Sequence, residues 1–520
     1  MKFQTYFSKP TSHPEESVEM VPSNADTSRL ASDDIDPTVG LTHENTPSYT
    51  DRQTKKLIRK IDLRVLGALA VIYQFSWMDR GNIVAGQSNG ITQELNMTNK
   101  QFKGALVIFF CSYAVFGIPA NIMIKMMRPR IWLSIVVFLW GAVMACQGVV
   151  ETWEEMFGVR LLLGVLESAI LPGIVYILSM IYARYELARR LSFIFGFCSL
   201  FEPIVALAAL GSHKFDGIVA GLDGWQFSFI SMGAGLAIMG VSLWVFMLPD
   251  VPDRIKFLKV DEKAIIERRL REDTGTALGQ VDLEDGPFDL AVVRDVLLDW
   301  KLWAWTTMAF CAAVCIFGFG YAVHMIMSDL VYSVLDTQLL VIPLNVAGAI
   351  STWFFGWLTD KKKLRWKILM GCFGIAGFAH FVLLTLPRKA SRWYFWGLLY
   401  MVPIGCFPAF VITVVWATNN LTPTGRRSIG IALVVAVGNA GGGLGYSIFV
   451  ESQKPRYWSG YSVSLGACIV GMCLTVLLRL SLSKGNKRRD AVEAEQVKTM
   501  YTEAQLLALG DKSPLYRYAL

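Results

Sequence analysis

Charge is scarce in this chain. Of its 520 residues only 18% are Asp, Glu, Lys or Arg, and only five are histidine, whereas soluble globular domains carry roughly a quarter of their residues as charges. With 53% hydrophobic residues and a mean hydropathy of +0.43, the balance excludes a set of soluble domains and points to a polytopic membrane protein. Motifs of other chemistries are missing as well. None of the nine cysteines stands in a CxxC or Cys/His ligand spacing, which argues against a disulfide framework and against zinc. No GxxxxGK[ST] occurs, so ATP-driven pumping lacks its nucleotide loop. The glycine run "GNAGGGLG" from Gly438 lies in an apolar stretch with no Lys-Ser/Thr behind it, and reads as close helix packing. No selectivity-filter repeat and no Ser/His/Asp, metal or cofactor constellation is present, so a channel and an enzyme are both disfavoured. No cofactor, metal or nucleic acid is expected.

What remains is organised by lipid. A spanning helix needs about 20 mostly apolar residues. Twelve stretches qualify, at 64–86, 101–126, 131–150, 155–182, 190–212, 224–248, 301–325, 336–359, 366–387, 392–416, 427–450 and 459–482. They imply a division into a polar, disordered N-terminal tail (1–60), a six-helix half (61–248), a charged central loop (249–300), a second six-helix half (301–482) and a polar C-terminal tail (483–520). Six spans, a hydrophilic loop and six more resemble the major facilitator architecture, an all-α membrane fold of twelve helices in two packed halves.

Positive charge sets the orientation. Short loops carry Lys125, Arg128 and Arg130, then Arg184, Arg189 and Arg190, then Lys361 to Lys367, then Arg426 and Arg427, while the alternate loops carry Glu151, Glu154, Glu155, Asp329 and Asp336. The basic loops and both termini are therefore expected in the cytoplasm. The net charge of +7 is used up in this flanking role.

Charges inside the spans need a purpose, because an isolated one costs about 2.5–3.5 kcal/mol at a helix centre. The first span contains "WMDRGNIVAG", with Asp79 beside Arg80, and the fourth contains Arg160 and Glu167. The latter pair is seven residues apart, close to two turns, and so shares one helix face. Glu202 precedes Pro203 in the fifth span. Two readings stand for these charges: an ion pair bracing the two halves, or a fixed cation and a titrating acid on a transport path. Tyr73, Asn345 and Asn439 are polar or aromatic groups that could line such a path, and His324 could relay protons. Asp360, at a helix end before Lys361–Lys363, reads as an inner gate together with Lys125 and Arg130.

At four places the sequence resembles the anion:cation symporter family of that superfamily, and within it the fungal allantoate permease group. The first span has Tyr73, Asp79, Arg80, Asn82, Ile83 and Ala85; the 2–3 region has Pro119, Asn121, Lys125, Pro129, Arg130 and Trp132. The fourth span and the loop behind it have Arg160, Gly164, Glu167, Pro172, Gly173, Tyr176, Tyr182, Glu186 and Arg189, and the chain closes on "GDKSPLYRYAL". Where the group has an arginine and a glutamate in the sixth span, this chain has Gln226 and Met232. The resemblance implies proton-coupled import of a small organic anion, a carboxylate or vitamin, by a monomer in the plasma membrane. It also implies Arg80 and Arg160 as substrate-binding groups and Asp79 and Glu167 as proton-coupling acids; Glu202, from its place in the fifth span alone, is a further candidate proton-coupling acid. Metabolite efflux and a non-transporting nutrient sensor are the alternatives.

Overall fold

The computed structural model describes residues 51–88, 90–127, 129–211, 221–244, 258–273, 290–329, 334–385, 392–454, 456–492, 497, 499–502, 506 and 509–520. The described residues are helical apart from connecting turns and the non-helical stretch 513–520. Helix α1 (Asp51–Ile61) runs through a π-helical turn (Asp62–Leu66) into α2 (Gly67–Ser88), followed by the short α3 (Ile91–Glu94), α4 (Asn99–Met126), α5 (Pro129–Cys146), α6 (Trp153–Glu167) and α7 (Ile170–Ile181). The first half ends with α8 (Leu187–Gly211) and α9 (Gly224–Ser242). Two connecting helices, α10 (Val260–Asp273) and α11 (Leu290–Leu297), precede α12 (Trp300–Asp329), α13 (Val334–Lys362), α14 (Arg365–Thr385), α15 (Arg392–Asn419), α16 (Thr424–Ile448) and α17 (Trp458–Asp490). Eleven helices among the described residues are long and apolar enough to cross a membrane. The 25-residue α8 takes the place of the fifth expected span, which gives twelve.

Local chemistry fixes where these helices begin. Thr98 caps α4 in a box with Gln101, and Thr152 accepts from the Glu155 amide at the start of α6, which satisfies amides that the first turn leaves unpaired. The fourth span, expected as one helix, breaks at Ser168–Ala169 into α6 and α7. Pro172 has no N–H, and its ring would meet the carbonyl of residue 168 in a continuous helix. The break leaves Glu167 as the last residue of α6.

The halves are built alike. In the first, α2 packs on α8, α4 on α6 and α5 on α9; in the second, α12 packs on α16, α13 on α15 and α14 on α17. Each pairing recurs six spans later, which is the packing signature of an internal repeat. The halves meet where α4 lies on α16 and α8 on α13. The glycine run serves helix packing as expected: a Cβ at Gly441 would strike the Phe310 carbonyl of α12, and one at Gly445 the backbone of Gly318. Small residues therefore let the α12 and α16 backbones touch.

Two assignments at the tails change. Residues 51–60, expected as disordered tail, belong to α1, where Leu57 and Ile61 are buried and Lys60 pairs with Glu262 of α10 at 2.8 Å. Beyond residue 482, α17 continues to Asp490, and Leu509–Leu520 folds back against the bundle with Tyr516, Tyr518 and Ala519 buried. Residues 1–50 lie outside the described part of the chain.

Candidate functional site

The four intramembrane charges of α2 and α6 meet in one cluster inside the first half. Tyr73, Ser76 and Arg80 follow one another at helical spacing along one face of α2, and Asp79 is displaced by about 100°. Arg160 and Glu167 are buried on α6. The pairing is crossed: Arg80 Nη2 lies 2.5 Å from Glu167 Oε1, and Arg160 Nη1 lies 3.1 Å from Asp79 Oδ2. Asp79 thus neutralises Arg160 and not its sequence neighbour Arg80. The Ser76 hydroxyl donates to the same Glu167 oxygen that receives Arg80.

All four charges are removed from solvent, with 0% of Asp79, 7% of Arg80, 1% of Arg160 and 1% of Glu167 exposed. Such groups persist only because two positive and two negative charges cancel. Cancellation does not saturate them. Arg80 Nε, Arg160 Nε and Nη2, Asp79 Oδ1 and Glu167 Oε2 are buried without a hydrogen-bond partner, so the cluster retains donors for an acidic ligand and acceptors for a proton. Both ion pairs join helices of the same half, which removes the reading of Asp79–Arg80 as a brace between the halves.

The guanidinium of Arg80 sits within an aromatic shell. Its Cζ is 5.4 Å from the Phe109 ring centre, 5.7 Å from Phe110, 5.5 Å from Tyr113 and 5.5 Å from Phe317, within the range of cation–π attraction. Phe317 belongs to α12, so the second half closes over the cluster. Further ring contacts cross between the halves: Phe110 with Tyr446 at 5.8 Å, Trp77 with Phe407 at 5.9 Å and Phe195 with Phe410 at 5.5 Å. Ser76 and these aromatics were not singled out from the sequence. Phenylalanine and serine are ordinary in a membrane helix, and only the phase of each helix shows which of them face inward.

The other expected lining residues are more dispersed. Tyr73 is buried with its ring 5.1 Å from that of Phe195. The Asn345 carbonyl accepts from Ser199 across the α8–α13 contact at 3.0 Å, and the Asn439 amide donates to Val435 of its own helix at 2.8 Å. Glu202 is partly buried, near Gly81 of α2, and forms no ion pair or hydrogen bond among the described residues. His324 Nδ1 lies 3.0 Å from the Gly320 carbonyl.

At the face that carries α1, α10 and Leu509–Leu520, a second polar network joins the halves. Asp360 of α13 accepts from the Arg189 backbone N–H at the start of α8 (2.8 Å) and from Arg365 Nη2 (3.2 Å). Arg365 also donates to the Arg184 carbonyl at 2.5 Å, as does Asn419 at 2.9 Å. Asn121 of α4 donates to the Ser428 carbonyl of α16. Asp360 therefore bridges the two halves, as a gate residue would. Arg130 donates to the Trp244 carbonyl of its own half, so that contact is not a cross-half latch. The side chain of Lys125 lies outside the described residues. Next to this network Asp62 accepts from Tyr182 (2.7 Å) and pairs with Arg190 (2.9 Å).

Comparison with known proteins gives the family and the fold. The family model of the Major Facilitator Superfamily matches residues 69–446. An uncharacterized transporter of Schizosaccharomyces pombe is 27% identical over 90% of this chain and 90% of its own length. The major facilitator-type transporter hxnP of Emericella nidulans is 25% identical over 91% of this chain and 94% of its own length. Among solved structures, the proton:xylose symporter XylE bound to 6-bromo-6-deoxy-D-glucose covers 81% of this chain and 95% of its own, with a TM-score of 0.56 and 14% identity, a likeness of fold.

Proposed function

The chain belongs to the Major Facilitator Superfamily and is a multi-pass membrane transporter, and we propose that it imports a small organic anion, a carboxylate, by proton symport across the plasma membrane. The observation that carries this reading is the central cluster: two buried arginines, each held by one carboxylate, with guanidinium donors left over. A planar guanidinium fork suits a carboxylate ligand in bidentate fashion. The resemblance of the first and fourth spans to the anion:cation symporters supports the same substrate class.

Coupling follows from competition for Arg80. With Glu167 ionised, Arg80 is engaged and the cluster is neutral. A proton on Glu167 cancels that acid's charge, releases Arg80 for the substrate carboxylate and keeps the sum neutral when the anion binds. Proton and anion then raise each other's affinity by the same factor. In this account Arg160, held by Asp79, supplies the second fixed positive charge, while Tyr73, Asn345 and Asn439 line the path. Glu202 is the next acid along it. Asp360 gates the face that bears the basic loops, which the positive-inside rule assigns to the cytoplasm.

The test is uptake by the purified protein in liposomes, using labelled nicotinate, pantothenate, biotin and allantoate with an imposed proton gradient. Accumulation of an anion that collapses when a protonophore dissipates the gradient is the expected result. Exchange that ignores the gradient for every anion, or outward movement alone, overturns the proposal.

A further inference from the structure

The segment "SPLYRYAL", Ser513–Leu520, is not accounted for by substrate binding, yet it is among the most densely bonded stretches of the protein. On the second half its anchors are many. Trp416 Nε1 donates to the Ala519 carbonyl (2.8 Å), while Asn420 both donates to that carbonyl (3.1 Å) and accepts from the Ala519 N–H (2.8 Å). The Arg365 N–H donates to the Leu520 carbonyl (3.0 Å), the Tyr516 hydroxyl to the Asn419 carbonyl (3.0 Å), and Asn486 exchanges two bonds with the Tyr518 backbone. On the first half the segment meets Arg184, whose guanidinium lies 4.7 Å from the Tyr516 ring and donates to the Arg517 carbonyl at 3.1 Å.

Arg184 lies in the turn between α7 and α8, and its own carbonyl is already held by Arg365 and Asn419 of the second half. It is therefore clasped from two sides at the junction of the halves. An alternating-access transporter must part this junction whenever that face opens. We propose that Ser513–Leu520 is a docked latch: it occupies a groove formed by α14, α15 and α17 and holds Arg184 there, so that the face opens only when Arg184 leaves the Tyr516–Arg517 site. A segment that merely filled space would need neither paired backbone bonds nor a cation seated on its ring.

Backbone hydrogen exchange in the purified full chain reads the latch directly, because local opening exposes the amides it protects. In Arg184→Ala, the segment keeps its second-half anchors and the residue-184 carbonyl keeps its bonds from Arg365 and Asn419, while the guanidinium's hold on Tyr516 and Arg517 is lost. Residues 182–190 and 420–428 should then exchange about tenfold faster, with the opposite face around residues 99–106 unchanged. A chain stopped after Lys512 retains the Asp511–Arg426 ion pair of 2.7 Å and should show the same local acceleration. Added peptide SPLYRYAL should restore slow exchange, and a scrambled peptide should not. Unchanged exchange in Arg184→Ala, or acceleration spread equally over both faces, overturns the proposal even if the shortened chain fails to fold.

Discussion

Replacing Glu167 by glutamine isolates the competition for Arg80. In the wild type an incoming carboxylate must displace Glu167, which receives Arg80 at 2.5 Å and Ser76 on the same oxygen. A hydrogen bond to a charged group is worth about 1.5–3 kcal/mol net, and a neutral one about 0.5–1.5 kcal/mol. Glutamine offers a neutral acceptor of the same shape, so the ligand forfeits about 1–1.5 kcal/mol less when it displaces it. At 1.4 kcal/mol per factor of ten, anion affinity at neutral pH should rise about 5- to 12-fold. The same variant carries no exchangeable charge and should bind with a flat pH profile, exchange substrate across the membrane, and fail to accumulate it against a gradient. The assay is a thermal-shift titration of wild type and Glu167→Gln with the anion found by liposome uptake, at several pH values, followed by gradient-driven uptake. Glu167→Gln that binds no more tightly, keeps the wild-type pH profile and still concentrates substrate would refute the assignment of the proton to Glu167.

Arg80→Lys keeps the charge but loses the fork and should weaken anion binding strongly, while Arg80→Ala should abolish it; radioligand binding on correctly delivered protein separates these from misfolding. Gly441→Val forces a side chain into the Phe310 carbonyl and should lower stability by about 1–3 kcal/mol, read as a depressed thermal midpoint. At the membrane edge, burial alone would raise Glu262, but its bonds from Lys60 and the Lys259 N–H outweigh this and hold it below the ordinary carboxylate range. A lowered folded value stabilises the folded state above the unfolded pKa, near 4.3, and that stabilisation fades as pH falls through the lowered value. The thermal-midpoint advantage of wild type over Glu262→Gln should therefore be full at neutral pH and shrink steadily as pH falls below the unfolded value near 4.3.

The spans could be read from the sequence because lipid demands unbroken apolar stretches of fixed length, and nothing else in a chain this poor in charge imitates them. The cluster residues were legible for the complementary reason: Asp79, Arg80, Arg160 and Glu167 are costly where they stand, so each announces itself. Their partners were not. Asp79 and Arg80 are adjacent in sequence, but neighbours on a helix point about 100° apart, and the crossed pairing depends on how α2 is turned relative to α6. The break at Ser168 hides inside an apolar run, where Pro172 is its only sign. The aromatic shell is invisible to hydropathy because a phenylalanine facing lipid and one facing Arg80 score the same. Burial of Ser513–Leu520 was hidden by its composition, since a polar segment reads as solvated until the arginines, asparagines and tryptophan that receive it are brought together by helices far apart in the chain.

The central claim, that a proton and an anion meet at one neutral cluster, is tested most directly by counting protons taken up when the anion binds. Calorimetric titration of the purified protein in buffers of different ionisation heat gives that number. The account predicts an uptake approaching one proton per anion in the wild type at a pH where the empty protein holds Glu167 ionised, and none in Glu167→Gln. Anion binding by the wild type with no proton uptake at any pH would contradict it.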